Sequence, residues 1–413
     1  MLSWTKRAVL GLHQPRVKQS FLGAFMHTTW LRRAISLCLM VLGFACDATV
    51  GVPGSLDTTF GVGGRARTLN SGDYASALAI QPDGKLVLAG SCFNAAGTKL
   101  DFCALRYNSN GTLDGTFGFG GKVVTPLRSG YEYGTALAIQ PDGKLVLAGY
   151  CPRAAYAHDF CALRYNANGT LDTSFGTGGT VVTSITGFDD RATALVVQPD
   201  GKLVLAGFCT LTGFCALRYN GDGALDASFG SGGKVTANVG GFGPRGPAML
   251  LQSDGKVVIT GDCLGGGHFC VLRYDTMGAP DVSFGSGGTV ETPIGPLTDS
   301  ARPVVIQPDN KIVLAGTCAP VGAPQLMFCA VRYNTDGTLD VTFGSAGKIT
   351  TFVGSGDGFV TGIALQPDGR LVLAGYCNGA VYPSYCALRY SPHGALDITF
   401  RTNGTVVSSS GNS

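Results

Sequence analysis

Twelve cysteines form six pairs, Cys92/Cys103, Cys151/Cys161, Cys209/Cys215, Cys263/Cys270, Cys318/Cys329 and Cys377/Cys386, and each pair holds the same place in one of six tandem repeats. Paired cysteines either ligate a metal or form disulfides. The separation varies from six to eleven residues and no histidine recurs beside the pairs, whereas zinc needs a fixed tetrahedral set, so disulfides are expected. Closing such short loops contributes roughly 2–3 kcal/mol each in the chain-entropy model. Stable disulfides in turn imply an oxidising compartment.

A second group that could do chemistry is acidic. Asp73, Glu132, Asp190 and Asp299 each stand four residues before the start of a first strand, with Asp357 displaced by one and Pro244 in the exceptional unit. Tyr74, Tyr133 and Phe359 lie beside them. Carboxylates and aromatics exposed around the mouth of a central channel would suit cations, sugars or basic peptides, and this ring is the candidate ligand-binding site. The plainer alternative is a set of solvated loop acids paired with arginines such as Arg191.

Other motifs point away from catalysis. Beyond the leader the histidines are His158, His268 and His393, at non-equivalent places, so neither a shared metal site nor a triad is suggested and no catalytic residue is assigned. The recurring FGxGG loops, such as Phe117-Gly118 and Phe175-Gly176, lack a following helix to supply an anion-binding N-terminus and read as tight turns. Asn334 to Asp340 places oxygens at calcium-like intervals, but the equivalent Asp275-Thr276-Met277-Gly278 has lost one of them. A turn held by side-chain hydrogen bonds is therefore expected there, with calcium as the alternative and no other cofactor or metal. Arg106, Arg164, Arg218, Arg273, Arg332 and Arg389 share one position in all six units, near the aspartate of an LDxxF segment, and read as structural ion pairs.

The elements that position these residues follow from the repeat. A QPDGK-type motif begins at Gln81, Gln140, Gln198, Gln252, Gln307 and Gln366, a period of 54 to 59 residues. That length suits one four-stranded propeller blade per unit. In the second unit, Ala136–Ile139 is the first strand, Leu145–Gly149 the second, Cys161–Tyr165 the third and Gly179–Thr183 the fourth, with Pro-Asp-Gly and Asn-Gly turns between them. Setting Cys92 opposite Cys103 also sets Gly90 against Leu105 and Leu88 against Tyr107, so the cystines are expected as direct cross-strand pairs. The turn side of such a disk is nearly invariant here; the other side collects the variable cystine-closed loops and the inter-blade links, where recognition is usually built.

Arg32-Arg33 followed by an apolar run from Ala34 to Ala45 reads as an export signal, with Met26 a plausible start. Six of the 30 basic residues and none of the 27 acids lie in that leader, so the remainder carries about three more acids than bases and loses the electrostatic footprint of a nucleic-acid binder. Cys46 is left without a partner, and Gly43-Phe44-Ala45-Cys46 resembles a bacterial lipobox despite Gly43, so lipidation at Cys46 is expected, with simple secretion as the alternative. The organisation is thus a signal over 1–46, a tether over 47–55, a propeller over 56–409 and a short tail over 410–413.

The run from Ala136 through DFCALRYNANGTLDTSFGTGG resembles the delta-60 repeat family, bacterial exported propeller-like repeats, and more distantly NHL-repeat propellers. The resemblance implies a propeller and brings no catalytic residues. The expectation is therefore an all-β, six-bladed β-propeller of four-stranded antiparallel blades with one cross-strand disulfide per blade. Its expected role is that of an exported cell-surface binding or scaffold protein for a protein, peptide or glycan ligand, attached to a membrane only by lipid. It is read as not an enzyme, with a hydrolase or lyase using the channel-mouth acids, or a purely structural surface component, as alternatives.

Overall fold

A computed structural model describes residues 57–66, 68 and 73–409, apart from 155–156, 211–212, 239–246, 264–266, 296–298, 321, 324, 355, 379–382 and 402. Cys46 and the leader lie outside the described residues. Among those described, every regular element is a β-strand, and the strands form six four-stranded antiparallel meanders. Blade 1 runs from Tyr74 to Thr125, blade 2 from Tyr133 to Thr183, blade 3 from Asp190 to Asn238, blade 4 from Ala248 to Thr292, blade 5 from Ser300 to Thr351 and blade 6 from Gly358 to Ser409. The molecule is a six-bladed β-propeller.

Alternation along each strand gives every blade two apolar faces, and the core lies between blades. Val87, Ala89, Phe102, Ala104 and Phe117 of blade 1 pack against Leu145, Leu147, Leu163 and Tyr165 of blade 2, and the pattern recurs from blade to blade. Gly149 shows why the second strand carries glycine at one fixed place: a Cβ there would lie 1.9 Å from the Tyr133 carbonyl oxygen. The strands approach at that point because the first strand bulges between Gly134 and Ala136.

Five disulfides are described, Cys92–Cys103, Cys151–Cys161, Cys209–Cys215, Cys318–Cys329 and Cys377–Cys386. Cys270 is also disulfide-bonded, and the side chain of Cys263 lies outside the described residues. The expectation that the two cysteines of a pair face each other directly is corrected. Gly90 faces Cys103, Leu88 faces Leu105 and Cys92 faces Asp101, so the pairing is two residues off and the cystine is diagonal. Gly149 facing Cys161 and Gly207 facing Cys215 repeat the offset in blades 2 and 3. In blade 5 Cys329 faces Gly316 and not Cys318, which faces Met327. In blade 6 Cys386 faces Gly375 and not Cys377, which faces Ser384.

In blades 2, 5 and 6 the third-strand sulfur leans along its own strand toward that diagonal. Cys329 Sγ stands 3.6 Å from the Met327 carbonyl oxygen and Cys386 Sγ 3.9 Å from that of Ser384, the residues opposite their partners. Strand twist draws the diagonal to 5.7 Å between the Cα atoms of Cys92 and Cys103, 6.0 Å for Cys318 and Cys329, and 5.9 Å for Cys377 and Cys386, inside the disulfide range. The hairpin also continues past the cystine, with strands two and three of blade 2 reaching Ala154 and starting at Ala157.

The recurrent arginine is a structural hub. Arg164 Nε donates to Asp172 Oδ2 at 2.7 Å, Lys144 Nζ lies 3.2 Å from the same oxygen, and the guanidinium carbon stands 4.7 Å from the centre of the Phe175 ring. Its Nη1 donates across the junction to the Gly221 carbonyl of blade 3. Asp172 Oδ1 meanwhile accepts from the Ser174 amide and hydroxyl. Removing one partner of such a buried pair strands the other charge. Arg164→Leu is therefore expected to cost about 3–5 kcal/mol in urea unfolding. Arg389→Leu should cost distinctly less, because Arg389 is more exposed and, among the described residues, bonds no neighbouring blade.

These aspartates also set the acid limit of the fold. Asp397 is held at about 2, chiefly by the Thr399 hydroxyl, against the upward push of burial and with help from the Thr399 amide and Arg389. In Asp172 burial pushes up, but Ser174, Lys144 and Arg164 together outweigh it and hold the carboxyl well below its usual range. A folded value below the unfolded one of about 3.9 gives stability that is complete above pH ~4 and lost as pH falls toward 2. Urea midpoints should thus show no fall as pH drops from neutrality to about 4 and decline steeply below it.

Candidate functional site

The acids expected to ring the channel mouth are not exposed. Asp73, Glu132, Asp190 and Asp299 retain 3%, 0%, 0% and 1% of their surface. Each is consumed by its own link or loop: Asp190 Oδ2 accepts from the Ile185 and Thr186 amides at 2.7 and 2.9 Å, and Glu132 Oε1 from those of Leu127 and Arg128. Asp299 accepts from Ile294 and Gly295, Asp357 from the Leu326 amide, and Asp73 from the Phe93 amide while pairing with Lys122 at 2.9 Å. The expectation of solvent-facing carboxylates is corrected: a link that turns sharply between blades has amides without strand partners, and a carboxylate at this position satisfies two at once. The alternative pairing with Arg191 also fails for Asp190, since Arg191 binds Asp189 instead.

The aromatics fare differently. The register that follows the bulge sets Tyr133 directly against Tyr150, and their rings stack at 4.8 Å. His158, opposite Pro152 near the end of the same hairpin, meets Tyr150 edge-on at 5.1 Å and lies 6.3 Å from Tyr133. Phe359 stacks on Tyr376 at the equivalent place in blade 6, at 4.7 Å. Tyr74 faces only Ser91 and is partly exposed.

Over the Tyr133 stack opens a cleft of about 840 Å³, lined by Arg128, Tyr131, Tyr133, Pro152, Arg153 and His158. It lies on the variable, cystine-loop side. Its wall is fixed by a polar network: His158 Nδ1 lies 2.6 Å from Asp189 Oδ1, and Arg191 Nη2 lies 2.8 Å from Asp189 Oδ2 while its guanidinium covers Tyr150 at 5.5 Å. Arg153 donates to Ser184 Oγ at 2.8 Å and to the Gly187 carbonyl, tying the loop to the next link. The Cys151–Cys161 bridge closes the hairpin that carries Pro152 and His158. Burial raises the Tyr150 hydroxyl above its ordinary value, so the phenol is neutral at every physiological pH.

Tyr133 is the one member of this cleft singled out from sequence. Repetition does not mark Tyr131, Tyr150, Arg153 and Asp189, and it sets His158 aside as a histidine at a non-equivalent place. The aromatic just before a cystine, Tyr150 before Cys151 and Tyr376 before Cys377, is the local feature that marks them. At the Asn334–Asp340 stretch, Asp336 Oδ1 accepts from the Thr338 amide and hydroxyl, the side-chain-closed turn expected there.

Five segments, 81–117, 140–175, 198–229, 252–284 and 307–343, match the family model described as a domain of unknown function (DUF5122) beta-propeller. Residues 346–382, which span the junction of blades 5 and 6, match the WD domain, G-beta repeat. The chain is a repeat β-propeller protein. No curated protein sequence matches it. Similar solved structures include the GH43 endo-arabinanase of Bacillus licheniformis, at 13% identity over 63% of this chain and 94% of that one, with a TM-score of 0.37. A PL25 ulvan lyase is 10% identical over 77% of this chain and 80% of its own, with a TM-score of 0.44. The PQQ-bound aldose sugar dehydrogenase of Streptomyces coelicolor is 14% identical over 75% and 89%, with a TM-score of 0.42. The reading of the chain as a non-enzyme is corrected by these neighbours, since propellers among them are enzymes and the fold is no ground for excluding catalysis. At such identities the likeness extends to the fold alone.

Glu132 beneath the cleft gives a direct check on the structural role of the acids. Burial raises its carboxyl above the usual range, more than the Arg128 and Leu127 amides lower it. A raised acid favours the native state while protonated, below about pH 4.3, and that advantage is lost as pH rises through the folded value. Glu132→Gln keeps an acceptor for the two amides and removes the buried charge, so it should melt no lower than wild type at pH 7. Glu132→Ala should cost about 1–3 kcal/mol by leaving both amides unpaired.

Proposed function

We propose that the protein is an exported propeller that recognises a saccharide through the cleft on the cystine-loop side of blade 2. The observation that carries this reading is the Tyr133–Tyr150 stack with His158 on its edge, at the base of a cleft rimmed by Arg128, Arg153 and the half-exposed Tyr131. Tyrosine rings present an apolar face to the C–H face of a sugar ring and keep a polar hydroxyl at the edge. Guanidinium and imidazole groups around them supply fixed donors to hydroxyls and acidic substituents. The disulfides support export, because they persist in an oxidising compartment, and anchoring through Cys46 belongs to the same proposal.

A second reading is favoured by one specific contact. Asp189 holds the His158 imidazole by its Nδ1 at 2.6 Å, the arrangement that fixes a tautomer and leaves the other ring nitrogen for proton transfer. Catalysis on the bound sugar would then be general-base chemistry by His158.

Glycan-array screening of the purified protein followed by calorimetry on the best ligand tests both readings. Tyr133→Ala is expected to weaken binding at least tenfold, about 1.4 kcal/mol, while Phe359→Ala in blade 6 leaves it unchanged. Undiminished affinity in Tyr133→Ala would sink the saccharide cleft. Product analysis of the same ligand decides the second reading: turnover that His158→Ala abolishes without weakening binding supports it, and an unaltered ligand after long incubation overturns it.

A further inference from the structure

Every interior junction of the disk shares one backbone contact. The loop amide of one blade donates to a turn carbonyl of the next, as from Gly118 to Asn168 at 2.8 Å and from Gly344 to His393 at 2.8 Å. In blades 2, 3 and 5 the tyrosine ending strand three also reaches back to a threonine of the preceding blade, as from Tyr165 to Thr125 at 2.7 Å, whereas blade 3 offers Ala237 to Tyr274 at that place. First strands of neighbouring blades also pack on one another at all five interior junctions.

Blade 1 receives these contacts from a different source. The Gly61 amide donates to the Asn110 carbonyl at 2.7 Å, Thr68 Oγ1 bonds the Tyr107 hydroxyl, and the Phe60 ring lies where a Cβ on Gly111 would be 3.1 Å from its edge. Residues 57–66 and 68 thus occupy the seat that the loop and fourth strand of blade 6 would take in a sealed ring. The first strands of blades 1 and 6, Tyr74–Ile80 and Gly358–Leu365, do not make the contact seen at the other junctions. Leu78 and Ile80 are left 40% and 63% exposed, while their counterparts Leu137 and Ile139 pack against the preceding blade.

The loops differ in fitness for that seat. Their docking residue is glycine in the five interior cases and at Gly61, with φ of +58° there, and a Cβ would come within 2.1 Å of the Arg65 carbonyl oxygen. Blade 6 has Arg401 at this place, with φ of 52°. A side chain is costly in that backbone region and obstructs the tight loop closure that brings the amide to the neighbour's carbonyl.

We propose that residues 57–66 and 68 belong to a strap that outcompetes blade 6 for blade 1, holding the ring unsealed beside Leu78 and Ile80. Both native tryptophans, Trp4 and Trp30, precede the described residues, so a full chain with both changed to Phe and carrying Ile80→Trp reports on the seam alone. With the strap intact the indole should emit as an exposed group and be strongly quenched by acrylamide. Adding Phe60→Asp and Gly61→Arg, which release the strap, and Arg401→Gly, which restores the docking glycine, should shift the emission to shorter wavelength with loss of quenching. A buried indole in the strap-intact chain overturns the proposal, as does unchanged exposure in a released variant that keeps a sharp thermal transition. Should the released variant not fold, Arg401→Gly with the native strap decides: partial loss of quenching supports competition for one seat, and unchanged quenching overturns it.

Discussion

The arginine at the end of each third strand is the interaction on which the rest depends. Through one buried aspartate it joins strand, turn and loop of its own blade, and in blades 1 to 5 its Nη1 reaches the backbone of the next, as from Arg273 to the Thr335 carbonyl at 2.6 Å. A lysine of the PDGK turn shares the aspartate, and a phenylalanine of the FGxGG loop stacks under the guanidinium, at 4.4 Å for Arg273 on Phe284. A bidentate, always charged, planar group is suited to this, since it satisfies several acceptors in fixed directions. The near-invariance of the QPDGK and LDxxF segments on one side of the disk is therefore the signature of assembly and needs no ligand to account for it.

With the turn side committed to holding blades together, specificity falls to the other side, where the chain is free to vary. Even there the repeated acids serve the frame. The buried carboxylates fix the inter-blade links, the bulge opposite Gly149 sets Tyr133 over Tyr150, and the cystine closes the hairpin beyond. What remains variable is which side chains stand at those fixed places: a stacked pair in blades 2 and 6, a tyrosine beside serine in blade 1, an arginine facing Phe208 in blade 3. A rigid scaffold with one cleft assembled from non-repeated residues follows from this division.

That division also explains what was legible in the sequence. The period, the hairpin turns and the cysteine pairs repeat, and repetition gave the six four-stranded blades. Register is ambiguous by two residues from alternation alone, because both alignments put the cysteines on the same face. Only the close approach at the glycine opposite Cys103, Cys329 and Cys386, which side-chain alternation does not reveal, separates them. The acids were misplaced for a related reason: a polar residue in a link looks solvated until the orphan amides of that link are counted. His158 and Asp189 belong to different segments 31 residues apart, and no local pattern ties them together.

The ends of the chain break the symmetry that the interior maintains. A circular array of six like units has six junctions, but here a loop segment lies before the first blade and a loop and fourth strand complete the sixth, so two candidates exist for the last seat. The candidate with glycine at the docking position, Gly61, is the one seated, and the candidate with Arg401 completes its own blade instead. The same backbone requirement that makes the interior junctions uniform thus decides which end caps the array. Its cost is an apolar first strand left partly in water, a feature that a ring sealed by either end alone would not have.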